Sequence, residues 1–176
     1  MRVWDRVVRT THWTLAAAVA LAWCSTLGWG LAHWHEPAGY AAAAVVLVRV
    51  VWGFVGSRHA RFCQFVRPPG EVLEHLRQLL ARCDRPAVGH NPAGGWMVVA
   101  LLAATGATAL SGWLYTTDRY WGVDWLARLH AQLAWLLLAL VVLHLGGVTV
   151  MSLRHRRNLV RAMFTGDQRT PGEPRA

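Results

Sequence analysis

The chain contains no lysine. All 18 of its basic residues are arginine, against nine acidic residues. Charged residues make up only 15% of the sequence and hydrophobic residues 55%. Soluble domains carry roughly a quarter charged residues, so the composition argues against a soluble globule, and the apolar content excludes a disordered chain. Cysteine is scarce: Cys24, Cys63 and Cys83 form no C-x-x-C pair, which removes disulfide frameworks, zinc ribbons and thioredoxin-like redox sites. There is no C-x-x-C-H, so any haem would be held without covalent linkage. No Gly-rich phosphate loop, H-E-x-x-H or G-x-S-x-G is present, and no other catalytic constellation stands in their place. With 176 residues the chain is one domain.

What is present is a set of four long apolar runs, from about residue 12 to 32, 38 to 55, 93 to 114 and 126 to 151. Each approaches the ~20 residues a helix needs to cross a bilayer core. A spanning backbone satisfies its own polar groups as a helix, and the alternation of an outer-membrane barrel is missing. The first run follows Arg2, Arg6 and Arg9 like a signal peptide. It has no small-x-small cleavage site and ends in bulky residues, so it reads as a retained helix. Fifteen arginines lie in residues 1–11, 57–92 and 153–176. Only Arg119 and Arg128 lie in the third connection, and Arg49 sits inside the second run. Fifteen against two predicts both termini in the cytoplasm. The positive charge is then a matter of topology, and no nucleic-acid partner is expected.

The expected fold is all-α: an integral membrane four-helix bundle running up-down-up-down. Asn91-Pro92 predicts an N-cap and first helical position for the third helix, and Pro37 falls in the first turn of the second. Residues 71–83 predict a short amphipathic surface helix. Trp4, Trp13, Trp34, Trp121 and Trp125 are expected near membrane interfaces. Residues 167–176 are expected to be a flexible cytoplasmic tail.

Nine histidines are many for such a chain. His59, His75, His90 and His155 fall in basic segments, and His33 near the outer end of the first helix, where solvation makes them unremarkable to the bilayer. His144 lies between Leu143 and Leu145, deep in the fourth run. An ionisable residue there marks function or bonds to a neighbouring helix. His130 precedes it by 14 residues, almost four turns, so the two share a face and stand ~21 Å apart along the axis. That arrangement suits two stacked cofactors in a bundle core. Partners at matching depth are His12, opening the first helix, and His35, opening the second. The pairs are therefore His12 with His144 and His35 with His130. Ala16, Gly39, Ala134 and Gly147 lie one turn beyond these histidines and leave room for a flat macrocycle. Arg49 lies 14 residues after His35. It either binds an anion such as a haem propionate or snorkels to the headgroups. Two imidazoles per iron make a six-coordinate haem that transfers electrons and has no vacant position.

Several motifs resemble the prokaryotic cytochrome b-561 / Ni-hydrogenase b-type cytochrome family. They are Trp4-Asp5-Arg6 with Arg9 and His12-Trp13, the run from Val48-Arg49 through Trp52-Gly53 to Phe62, Gly89-His90-Asn91-Pro92, and Leu143-His144 with His130 before it. The resemblance extends over residues 3–166. It implies a dihaem cytochrome b of the bacterial inner membrane, ligated by His12, His35, His130 and His144. It also implies electron transfer between the quinone pool and a periplasmic redox partner, with quinone a candidate ligand. The compact form is closer to members serving small c-type cytochromes. The alternative is the membrane-anchor cytochrome b subunit of a hydrogenase or similar periplasmic oxidoreductase. Quinol oxidation would then be shared with a partner, and a homodimer is left open. A His-based metal transporter would want carboxylates or methionines beside the histidines, and the apolar runs hold no Asp or Glu in their middles. A membrane anchor without cofactor is the remaining contrast.

Overall fold

The computed structural model of the protein describes residues 3–83 and 89–168. Among them are seven α-helices: α1 Arg6–Cys24, α2 His35–Val55, α3 Phe62–Phe65, α4 Pro69–Leu80, α5 Pro92–Tyr115, α6 Asp124–Arg154 and α7 Leu159–Thr165. A 3₁₀ turn, Ala32–Trp34, leads into α2, and no β-strand is present among the described residues. The all-α class is as the long apolar runs predict.

Three helical segments are long and apolar enough to cross a membrane: Ala32–Val55, Pro92–Tyr115 and Asp124–Arg154. The first apolar run behaves differently from expectation. Its helix starts at Arg6, because the Asp5 carboxylate accepts the Val8 N–H at 2.7 Å and caps the first turn. It stops at Cys24, eight residues earlier than expected. Gly28 and Gly30 have φ of 77° and 72°, a left-handed conformation that ends a helix. The helix thus begins with Arg6, Arg9, Thr10, Thr11 and His12 and is not among the three apolar segments. α5 opens as its sequence indicates: Asn91 Oδ1 accepts the Gly94 N–H at 2.6 Å, and Pro92 occupies the first helical position.

The chain divides into two compact units. The first comprises Met1–Arg9, Val51–Val99 and Val142–Ala176. Its core is Val3, Trp4, Val8, Ala60 and Ala162, with Trp52 and Met163 against it. The Asp5 carboxylate also accepts the Trp52 indole N–H at 3.0 Å and the Ser57 hydroxyl, so one side chain caps a helix and satisfies two further donors. Trp4, expected at an interface, is 6% exposed because its ring packs edge-on against His90, 4.7 Å between centroids. Phe65 stands 4.8 Å from the same imidazole. His90 is therefore held between aromatic rings, and His75 on α4 is buried, whereas both were expected to be solvated. The amphipathic helix is present as α4, with Leu73, Leu76 and Leu80 exposed. Of the tail expected at 167–176, Asp167 and Gln168 fall among the described residues. The Gly166 carbonyl accepts the N–H groups of Val3 and Trp4, and Gln168 Oε1 accepts that of Gly89 at 2.7 Å. Residues 169–176 lie outside the described residues, as do Arg2 and Arg85 of the basic segments.

The second unit comprises Thr10–Val50 and Ala100–Val141. Small residues make its close contacts: Ala18, Ala38, Ala42 and Ala104 are buried, with Leu126 and Leu137. Trp23 and Trp135 meet edge to face at 5.1 Å. Leu47, Leu110 and Leu136 are exposed, as suits a surface solvated by hydrocarbon rather than water.

Candidate haem-binding cavity

The second unit contains a half-open cavity of about 600 Å³ with almost wholly apolar walls. Residues from α1, α2, α5 and α6 line it, and two histidines reach it: His35 from the first turn of α2 and His130 from α6. Their ring centroids are 6.1 Å apart at an interplanar angle of 78°. These are the two residues that depth matching had paired.

Each imidazole is fixed in the same way. His35 Nδ1 lies 2.9 Å from Ser25 Oγ and 3.0 Å from the Ala22 carbonyl. His130 Nδ1 lies 3.1 Å from Ser111 Oγ and 3.0 Å from the Thr108 carbonyl. A carbonyl only accepts, so Nδ1 carries the proton in both rings. The Ser25 hydroxyl proton is donated to the Ala22 carbonyl at 2.7 Å and that of Ser111 to the Thr108 carbonyl at 2.9 Å. Each serine oxygen is then an acceptor for Nδ1–H. With Nδ1 protonated in a neutral ring, Nε2 keeps its lone pair. That is the state a metal-ligating histidine needs.

The cavity fits a macrocycle on three counts. Its volume lies within the ~300–1,000 Å³ of small-molecule and cofactor sites. Metal–imidazole bonds of about 2 Å put two ring centroids bridged by one ion about 6 Å apart, close to the separation found. Gly39 and Ala134, two of the four small residues marked by their spacing, line the cavity, and a Cβ on Gly39 would meet nothing within 4 Å. Gly112 serves a different purpose. A Cβ there would stand 3.0 Å from His130 Cε1 and 3.3 Å from Nδ1, so the absence of a side chain lets the ring lie against α5. Among the described residues no group of three His, Cys, Asp or Glu could hold a metal ion. Glu36 is the one carboxylate on the cavity wall, and it accepts the Tyr40 hydroxyl at 2.8 Å.

The other candidates are not among the residues lining this cavity. His12, on α1, belongs to the second unit and packs edge-on against Trp13 at 5.2 Å. His144, on α6, belongs to the first unit. Both are half-buried, as is Arg49 on α2. Sequence reasoning missed Ser25 and Ser111. Each is only 4% exposed. The available signal was a hydroxyl within an apolar stretch, which must find a partner when buried.

Comparison with known proteins bears on the family of the chain. The family model for prokaryotic cytochrome b561 matches residues 3–166. A relative from Bradyrhizobium diazoefficiens, named as a probable Ni/Fe-hydrogenase B-type cytochrome subunit, is 24% identical over 159 residues. That match covers 76% of this chain and 64% of the relative, so the chain spans less than two thirds of the relative's length. No solved structure matches. A family match over nearly the whole chain, apolar helices of membrane-spanning length and two facing imidazoles lead to one conclusion: the chain belongs to the prokaryotic cytochrome b561 family of haem-binding membrane proteins of electron transport.

Proposed function

We propose that the protein is a dihaem cytochrome b of the bacterial inner membrane that carries electrons between the quinone pool and a periplasmic redox partner. The observation that carries the reading is the pair His35 and His130. Both rings face one apolar cavity of about 600 Å³, and both have Nδ1 tied down and Nε2 left as a donor. A haem held by two imidazoles supplies a one-electron couple with no open coordination position. The chain's own residues do the rest. His35 and His130 hold the outer haem, and His12 and His144 hold the inner one. Apolar walls suit the flat faces of the outer haem, Gly39 leaves it space, and Gly112 lets His130 lie against α5. Arg49 neutralises a propionate of the inner haem or reaches the headgroups. In this reading four spans run up-down-up-down, with α1 joining the three apolar segments, and the arginine distribution supports cytoplasmic termini.

A small periplasmic c-type cytochrome is the partner we favour, on the resemblance to family members that serve such cytochromes. A second reading has an observation of its own. The Bradyrhizobium relative is named as a hydrogenase subunit, so this chain would be the membrane-anchor cytochrome of a hydrogenase or a similar oxidoreductase. Copurification of the tagged protein from membranes separates the two readings by the size of the partner. The function itself is tested by the reduced-minus-oxidised visible spectrum and a haem assay of purified protein. Sharp low-spin b-type bands and two haems per chain, all extractable by acid-acetone, are the expected result. A preparation without such bands would leave the protein a cofactor-free anchor.

A further inference from the structure

Two buried serines occupy equivalent positions around the two imidazoles, and the equivalence extends to individual atoms. Ser25 bonds the carbonyl three residues before it, Ala22. Ser111 bonds the carbonyl three residues before it, Thr108. In each case the histidine comes from the next long helix, α2 for Ser25 just past the end of α1 and α6 for Ser111 on α5, and directs Nδ1 between that hydroxyl oxygen and that carbonyl oxygen. Were Nδ1 unprotonated and accepting from serine, its lone pair would face the carbonyl oxygen at 3.0 Å with no proton between them. The carbonyl therefore decides the tautomer, and the serine, its own proton already donated, becomes a second acceptor for the same N–H. Each hydroxyl is almost fully buried, where an unmet hydrogen bond is costly, so all three bonds of each set are mutually reinforcing.

We infer that Ser25 and Ser111 are positioning residues for the outer haem: they hold His35 and His130 with Nε2 towards the cavity and raise the basicity of both ligands. The inference rests on the haem reading of this cavity. Two acceptors on one Nδ1–H draw the proton away from the ring and enrich Nε2 in electron density. A richer donor favours ferric over ferrous iron, so the pair of serines lowers the potential of the outer haem relative to a site with the carbonyls alone.

The test uses haem-loaded protein purified in detergent and the variants Ser25→Ala, Ser111→Ala, Ser111→Thr and His130→Ala. Potentiometric titration, low-temperature electron paramagnetic resonance and the rate of haem transfer to excess apomyoglobin are measured. Both alanine variants are expected to raise the midpoint potential of one haem, to change the g-values of one low-spin signal, and to speed loss of that haem by about tenfold, the lower end of the usual effect of removing a partner of a metal-bound histidine. The other haem stays as it was. Ser111→Thr keeps a hydroxyl and should sit closer to the unmodified protein than Ser111→Ala does. If His130→Ala retains its full haem content and spectrum, the haem reading of the cavity fails and the inference falls with it. If His130→Ala loses a haem while both serine variants keep potential, g-values and transfer rate, the inference alone is overturned. A threonine variant no nearer to the original than the alanine variant would also overturn it, since packing and not the hydroxyl acceptor would then be responsible.

Discussion

At the scale of single residues, the cavity is governed by what is missing as much as by its histidines. Gly112 and Gly39 should fail in different ways when replaced by alanine. At Gly112 the added methyl would press on His130 Cε1 at 3.0 Å. Overpacking of this kind costs about 1–3 kcal/mol, and here the ring is the group that must move. Gly112→Ala is expected to lower both thermal stability and haem content. Gly39 has open space at its Cβ position, on the cavity wall. Gly39→Ala should therefore leave the haem-free protein as stable as before while lowering haem retention. Melting curves with and without haem, read beside haem content, check both. Equal melting losses for the two haem-free variants would contradict the assignment of Gly39 to the cofactor's space. The histidines were legible in the sequence because an ionisable ring in an apolar run is rare. The serines were not, because serine occurs in membrane helices for many reasons and only burial against Nδ1 distinguishes these two.

At the scale of elements, helix starts were easier to read than helix ends. Asn91-Pro92 opened α5 as written, since cap and first turn are adjacent in sequence. The start of α1 at Arg6 depends on Asp5, whose carboxylate also serves Trp52 and Ser57, some fifty residues away. Asp5→Ala should therefore cost more than a helix cap. We expect about 1–2 kcal/mol for the cap and at least about 1 kcal/mol more for the indole N–H left unmet. Asp5→Asn, which keeps an acceptor oxygen, should recover part of it. Thermal denaturation in detergent reports the difference, and an Asp5→Ala loss no larger than that of a surface cap would show that the Trp52 and Ser57 bonds contribute nothing. The early end of α1 was written in Gly28 and Gly30, but apolar residues continue on both sides of them. Hydropathy alone therefore ran the helix on to residue 32.

At the scale of the molecule, the arginine distribution makes the strongest statement. A reporter fused after the last residue should be active in the cytoplasm and one inserted at Asp118, an exposed residue of the connection between α5 and α6, active in the periplasm. Reversed activities would invert the depths on which the pairing of His12 with His144 and His35 with His130 depends. The two pairs also predict how double variants behave. His12→Ala/His144→Ala should leave one normal low-spin haem, while His12→Ala/His130→Ala should disturb both. Electron paramagnetic resonance of the two preparations distinguishes them, and one intact signal in the second with none in the first would mean that the partners are wrongly matched.

The sequence by itself determined the helical class, the membrane environment and the four candidate ligands. Those follow from composition, from a 3.6-residue period and from the cost of burying a charged or polar group in hydrocarbon, all local to a segment. Only the tertiary structure decided that His35 and His130 face one cavity, that their Nδ1 protons point to two serines and two carbonyls, and that Gly112 is small because a ring lies on it. It also decided that His90 is held between Trp4 and Phe65. These are contacts between segments distant in the chain. Hydrogen-bond direction and van der Waals fit act over about 3–4 Å, and no spacing along one helix encodes which atom of another will arrive there.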